Sequence, residues 1–164
     1  MVHDSPAPTR LIVVAWPDGD AEPVGHDPRS RYVERFWLPV IGPSATWLIR
    51  RLADGLDAAP GGYPLDLVDV ARTLGLGAGT SGRSPVRRAL QRCARFDLLR
   101  LSDPRTIEVR RRVPPLLSRH VRLLPGSLRA EHRAWDLAQG DGAAPPEAPP
   151  DPPVGGPTNE WPHR

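Results

Sequence analysis

The chain has 164 residues, which is enough for one domain of about 100–200 residues. It contains 22 prolines, one cysteine and 22 basic residues, all of them arginine, and its net charge is +3. This composition excludes an internal disulfide framework and a cysteine-based zinc site, and the absence of any run of 18 apolar residues argues against a membrane-spanning helix. The first ten residues lack the basic and apolar regions of a secretory signal, so we expect a cytoplasmic protein without membrane contact.

Charge and proline are distributed unevenly along the chain. Residues 1–30 and 140–164 each have a net charge of −3, whereas residues 31–139 have a net charge of +9. Thirteen of the prolines lie in the two acidic ends. We therefore expect a disordered, acidic, Pro-rich tail at 140–164 and a mostly flexible arm at 1–29. The arm holds one candidate strand at 11–16, which is unstable alone and either docks on the folded part or binds a partner.

Two helices are predicted in the first half of the folded part. The first begins at 27–30, and Pro39 and Gly42-Pro43 are predicted to end it, because proline interrupts the helical hydrogen bonds and a Gly-Pro pair marks a turn. The second spans 45–56 with Ser44 as its N-cap. Its apolar residues recur with a period of 3.6, which predicts one buried face.

Two more helices flank a glycine-rich loop. Pro64 is suited to the first turn of a helix over 65–74, and Gly75 is suited to end it. The loop at 77–82 follows, and Ser84-Pro85 then begins a fourth helix that runs to Arg95. This fourth helix is predicted to bury Val86, Ala89, Leu90 and Cys93.

The hydrophobic period changes from 3.6 to 2 after the fourth helix. Leu99 and Leu101 alternate with Arg100, and residues 106–110 alternate in the same way. A turn over 102–105 therefore predicts a β-hairpin. Two C-terminal helices, 116–124 and 128–139, are expected to pack on the same chain or on a second copy in a homodimer.

This order of elements resembles a winged helix-turn-helix domain. Residues 67–76, Leu-Val-Asp-Val-Ala-Arg-Thr-Leu-Gly-Leu, resemble the first helix and turn of the motif, and residues 84–90, Ser-Pro-Val-Arg-Arg-Ala-Leu, resemble the start of a recognition helix. Residues 96–99 resemble the entry to the wing, where a glycine is frequent in place of Asp97. Residues 32–45 are similar to the opening of the N-terminal domain of DnaD-type replication proteins, and the whole set is similar to an uncharacterised family from GC-rich bacteria.

The resemblance implies a fold that is mainly α with a small β-hairpin. The winged-helix domain would cover residues 30–113, the C-terminal helices residues 114–139, and both termini would be disordered and Pro-rich. The glycine-rich insertion at 77–83 departs from the usual tight turn between the two motif helices.

Charge within the motif predicts a nucleic-acid partner independently of the resemblance. Residues 83–112 contain ten arginines and three acidic residues. Helix 84–95 fits a major groove, where arginine recognises guanine and glutamine recognises adenine, and the wing at 98–112 reaches the phosphate backbone. The predicted DNA-binding residues are Ser84, Arg87, Arg88, Gln91, Arg92, Arg95, Arg100, Arg105, Arg110 and Arg112. We expect a protein that binds double-stranded DNA, either a transcriptional regulator or a replication or nucleoid accessory factor located at the nucleoid.

Three other interpretations remain open. The same fold can serve as a protein-interaction module that uses its Pro-rich arms or C-terminal helices. The acidic arms can recruit a protein partner, or fold back on the arginines and inhibit DNA binding. The arginine content can also reflect GC-rich coding, since the chain has no lysine.

No enzymatic site is predicted. The loop at 77–82 matches Gly-x-Gly-x-x-Gly, but a helix precedes it, whereas a dinucleotide site needs a strand. Cys93 falls on an inward helical face, and His120 and His132 have no third metal ligand nearby in sequence. We therefore predict no catalytic residue, metal site or cofactor. Trp37, Trp47 and Trp135 are expected in the core or in a subunit contact.

Overall fold

The computed structural model describes residues 8–17 and 25–140. The remainder of the predicted flexible arm, and residues 141–164 of the predicted tail, lie outside the described residues. The helices are α1 (a π-helical part, Val33–Trp37, then an α-helical part, Leu38–Ile41), α2 (Pro43–Ala58), α3 (Leu67–Thr73), α4 (Pro85–Arg95), α5 (Ser118–Val121) and α6 (Gly126–Gly140). The strands are β1 (Arg10–Ala15), β2 (Tyr63–Asp66), β3 (Leu99–Asp103) and β4 (Thr106–Val109).

Helix α1 continues through Pro39, so the prediction is wrong for this proline and correct for Gly42-Pro43. The π-helical part explains the difference, because the N–H of Leu38 donates to the carbonyl of Val33, five residues earlier. This wider register shifts the hydrogen bonds just before a residue that has no N–H of its own. As predicted, the helix ends at Gly42, whose φ of +80° favours glycine, and Pro43 begins α2.

The sheet has four strands in the order β2-β1-β4-β3: the predicted hairpin β3–β4, the candidate strand β1, and β2, which is not predicted from the sequence. Strand β1 pairs antiparallel with β2 and parallel with β4, and Leu11 and Val13 point into the core. The candidate strand of the arm therefore docks on the folded part as an inner strand of the sheet.

Strand β2 occupies the place where a helical start is predicted. Pro64 lies within β2, which is an edge strand, and an edge position tolerates a residue without an N–H. Helix α3 begins only at Leu67, where the carboxylate of Asp66 accepts hydrogen bonds from the N–H groups of Val68 (2.8 Å) and Asp69 (3.4 Å). The end of α3 is as predicted, since Gly75 has a φ of +67°.

The core lies between the inner face of the sheet and the buried faces of α1, α2 and α4. Cys93 is fully buried there, as predicted, and burial raises the pKa of its thiol to about 12. Trp37 is also in the core, and Trp135 is partly buried and packs against the core. Trp47 differs, because 58% of its surface is exposed on α2, so of the two expected positions the core is excluded and a subunit contact stays a prediction.

The C-terminal helix α6 packs on α1 of the same chain. His132 and Trp135 contact the rings of Tyr32 and Phe36, and Arg35 forms an ion pair with Glu131 at 2.7 Å. At the level of fold class, the molecule is mainly helical with a small sheet.

Candidate nucleic-acid interface

Helix α4 forms the centre of the candidate interface. Pro85 fits its first turn, and Arg92 and Arg95 lie in its last turn, where cations interact favourably with the helix dipole. The four residues predicted to face inward, Val86, Ala89, Leu90 and Cys93, are all buried. The opposite face of the helix is therefore directed to solvent.

Four of the predicted DNA-binding residues share this outer face. Their spacing of three and four residues places them side by side on the helix. All four are exposed, and none of their side chains forms a hydrogen bond or ion pair with the residues that the structure describes. They are Arg88, Gln91, Arg92 and Arg95.

Two other predicted residues, Arg87 in α4 and Ser84 just before it, are less exposed than this face. Arg87 is partly buried and donates from its guanidinium to the main-chain oxygens of Thr80 (3.0 Å) and Pro8. Ser84 is buried, and its hydroxyl has no hydrogen-bond partner in the described part of the chain. Arg87 thus connects the glycine-rich loop and the segment before β1 to α4. Neither Arg87 nor Ser84 belongs to the candidate interface.

The hairpin β3–β4 contributes two arginines that are already engaged. Arg100 forms an ion pair with Glu108, directly opposite it in the sheet, and stacks 4.4 Å from the ring centre of Trp16. Arg110 stacks 4.2 Å from the same ring and donates from Nε to the main-chain oxygen of Asp97 at 2.8 Å. The sequence signals miss Trp16, because its role depends on β1 lying beside β4.

The remaining hairpin arginines differ in their surroundings. Arg105 lies at the tip, where its main-chain N–H donates to the carboxylate of Asp103 at 2.7 Å and its side chain is exposed. Arg112 donates to the main-chain oxygen of Gly25 at 3.4 Å. Arg105 is therefore the predicted wing residue that is most accessible to a ligand.

A groove of about 300 Å³ lies between the start of α2 and the outer face of α4. Arg88 and Arg92 line one side, and Gly42, Pro43 and Ser44 line the other. The first N–H groups of a helix have no partner within the helix and favour an anion. The sequence does not predict this groove, since it depends on the contact between α2 and α4.

Comparison with known proteins adds no assignment, because no protein-family model, curated protein or solved structure matches the chain. Within residues 8–17 and 25–140, none of the helices combines the length and apolar character needed to cross a membrane. In the same residues, no three His, Cys, Asp or Glu side chains are grouped so that they could hold a metal ion.

Proposed function

We propose that this protein binds double-stranded DNA through a winged helix-turn-helix, as a transcriptional regulator or as a replication or nucleoid accessory factor. Helix α4 would enter the major groove and the β3–β4 hairpin would contact the phosphate backbone. The observation that carries the proposal is that the side chains of Arg88, Arg92 and Arg95 are exposed on one face of α4 and have no partner among the described residues.

Placement distinguishes these arginines from those that composition alone would produce. Elsewhere, some exposed arginines have carboxylate partners, as Arg29 and Arg35 do, and others have none in the described residues, but those others are not lined up on one helical face as these three are. GC-rich coding raises the number of arginines without selecting one helical face for the unpaired ones. Three unpaired guanidiniums on the same face of one helix are typical of a surface that binds an anionic partner.

The order of elements supports the same proposal. Helices α2, α3 and α4 are followed directly by the hairpin β3–β4, which is the order of a winged helix, and β2 lies between α2 and α3. Asp97 adopts the left-handed conformation, with a φ of +56°, in the turn that leads from α4 into β3. In this proposal, β1 is an additional strand that extends the wing sheet.

In this mode of binding, the groove beside α4 would be the binding site of a backbone phosphate. Arg88 and Arg92 would approach a phosphate from one side, and the start of α2 from the other. Neutralising phosphates with arginine releases counterions, so the proposal requires affinity that falls steeply with salt concentration.

Fluorescence anisotropy with labelled duplex DNA across a salt series tests this function. We expect the triple variant R88A/R92A/R95A to reduce the slope of log affinity against log salt by about 2.7, which is 0.9 for each lost phosphate contact. The matched control R51A/R122A/R133A removes the same charge from three exposed arginines outside α4. Absence of binding at low salt, or equal effects of the two triple variants, would reject the proposal.

The exposed Trp47 favours a second candidate, a protein-interaction module that binds another copy of the chain through α2. The Arg50 guanidinium lies 5.2 Å from the centre of the Trp47 ring, and exposed aromatic residues next to arginine are enriched in protein interfaces. Sedimentation at several protein concentrations distinguishes the candidates. Self-association that W47A abolishes while DNA affinity stays unchanged would support the second function, and a monomer at all concentrations would reject it.

A further inference from the structure

A cavity of about 190 Å³ lies between the end of α4, the end of β4 and the start of α5. Trp37, Phe96 and Leu117 contribute apolar walls, and Arg110, Arg119 and His120 contribute polar groups. Arg88, Arg92 and Arg95 do not line it. The cavity is therefore separate from the exposed face of α4, although Arg110 of the wing lines it.

The aromatic walls are held by contacts with one another. The ring centres of Phe96 and His120 are 5.2 Å apart, and those of Trp37 and His120 are 5.6 Å apart. The indole N–H of Trp37 donates to the main-chain oxygen of Pro114 at 2.9 Å, which fixes the position of that ring. An apolar cavity of about 150 Å³ can accommodate benzene, so this cavity has room for a single six-membered ring.

His120 contributes a buried hydrogen-bond donor that has no acceptor. Arg119 Nε lies 3.2 Å from His120 Nε2, and because arginine can only donate, Nε2 must accept. The proton of the neutral ring is then on Nδ1, which is buried and has no partner among the described residues. The residue itself is only 8% exposed. A buried N–H without an acceptor is costly, and an acceptor atom brought by a ligand would remove that cost.

The charges around the cavity favour an anionic ligand. Arg119 is exposed, and the described residues provide it with no carboxylate partner. Arg110 and Asp97 also line the cavity, with opposite charges, and the main-chain oxygen of Asp97 accepts from Arg110. The net charge of the lining is therefore positive, with the guanidinium of Arg119 as the available cation.

We propose that this cavity binds a small aromatic carboxylate. The ring of the ligand would pack against Phe96 and Leu117, its carboxylate would pair with Arg119, and a turn of the His120 ring towards the cavity would let its N–H donate to a ligand oxygen. The inference does not depend on DNA binding, because it uses none of the residues of the α4 face.

Isothermal titration of the full chain with sodium benzoate tests the ligand class. Benzyl alcohol provides the same ring without the charge, and sodium acetate provides the charge without the ring. We expect saturable 1:1 binding of benzoate and affinities at least about tenfold lower for the other two compounds. A lack of saturable benzoate binding, or equal affinity for benzyl alcohol, would overturn the proposal.

Substitutions then locate the site without requiring DNA in any measurement. R119A should weaken benzoate binding about three- to fivefold, the range expected for an exposed charge pair. R122A removes the same charge from an exposed arginine just after α5 and should leave the affinity unchanged. H120Q should weaken binding while circular dichroism confirms that the variant is folded. Equal affinities of R119A and R122A would contradict the assignment of the site.

Discussion

The hydroxyl oxygen of Tyr32 lies 2.8 Å from Nε2 of His132, although the two residues are 100 positions apart in the chain. The same oxygen accepts the main-chain N–H of Leu116 at 2.9 Å, so the phenol proton is free to be donated to the imidazole. His132 Nδ1 in turn lies 3.2 Å from a carboxylate oxygen of Asp136. This chain of hydrogen bonds joins α1, the segment before α5, and α6, and burial raises the pKa of Tyr32 to about 12.

Replacing Tyr32 with phenylalanine should destabilise the fold by about 1–3 kcal/mol, because it leaves the buried N–H of Leu116 and the ring nitrogen of His132 without a partner. Urea unfolding measures the effect. The control Y63F removes a hydroxyl that only donates to the main-chain oxygen of Leu52 at 3.1 Å. It should reduce the free energy of unfolding by less than Y32F does. Equal stability of Y32F and the unmodified protein would contradict the role of the hydrogen-bond chain.

The two faces of β1 should respond differently to truncation. L11A removes a side chain that is buried in the core, and we expect a loss of about 2–5 kcal/mol. I12A changes the next residue, which points to the opposite face and is 45% exposed, so its effect should be much smaller. Chemical denaturation of both variants checks this. Similar losses for the two variants would mean that β1 does not occupy the inner position in the sheet.

Asp97 occupies a left-handed conformation that glycine adopts at lower cost. We expect D97G to stabilise the protein by about 0.5–1 kcal/mol, and D97A to destabilise it by about 1 kcal/mol, because Cβ is disfavoured in this conformation and alanine has no polar side chain to compensate. Thermal unfolding of the two variants provides the measurement. The prediction fails if alanine is tolerated as well as glycine.

Stability should decrease as the pH falls from 7.5 to 5.5. Burial lowers the pKa of His120, with a further contribution from the Arg119 charge, and burial together with Arg112 lowers the pKa of His26. Because both values lie below the unfolded value of about 6.5, the unfolded chain binds protons first, and the loss of stability extends down through the folded-state pKa values.

Urea midpoints at the two pH values check this dependence. The H26N/H120Q variant should lose less stability between pH 7.5 and 5.5 than the unmodified protein does. A midpoint that is the same at both pH values in the unmodified protein would show that these imidazoles are not held in their neutral form by the fold.

If the proposed function holds, the tip of the hairpin should contribute one phosphate contact. R105A removes an exposed guanidinium and should reduce the salt slope of DNA binding by about 0.9. R100A removes an arginine that already pairs with Glu108, and should change the slope less. Anisotropy across a salt series compares the two variants, and a larger effect of R100A would place the DNA on the Trp16 side of the sheet.

Local signals in the sequence determined much of the helical structure. Ser84-Pro85 and a 3.6-residue period predict the start, end and buried face of α4, and Gly75 ends α3 as expected. These features depend on interactions within a few residues, namely capping, the fixed φ of proline and the freedom of glycine. The exposure of Arg88, Arg92 and Arg95 follows from the same period.

Only the tertiary structure decided which strands pair in the sheet and which groups each arginine contacts. A proline at position 64 suits a helix start and an edge strand equally well, and β1 has no pairing partner close to it in sequence. Arg87 and Arg88 are adjacent and chemically identical, yet one bonds to main-chain oxygens of Thr80 and Pro8 while the other is exposed. Strand pairing and ion pairing join residues that are distant in the chain, so local patterns predict which face a side chain occupies but not which group it meets there.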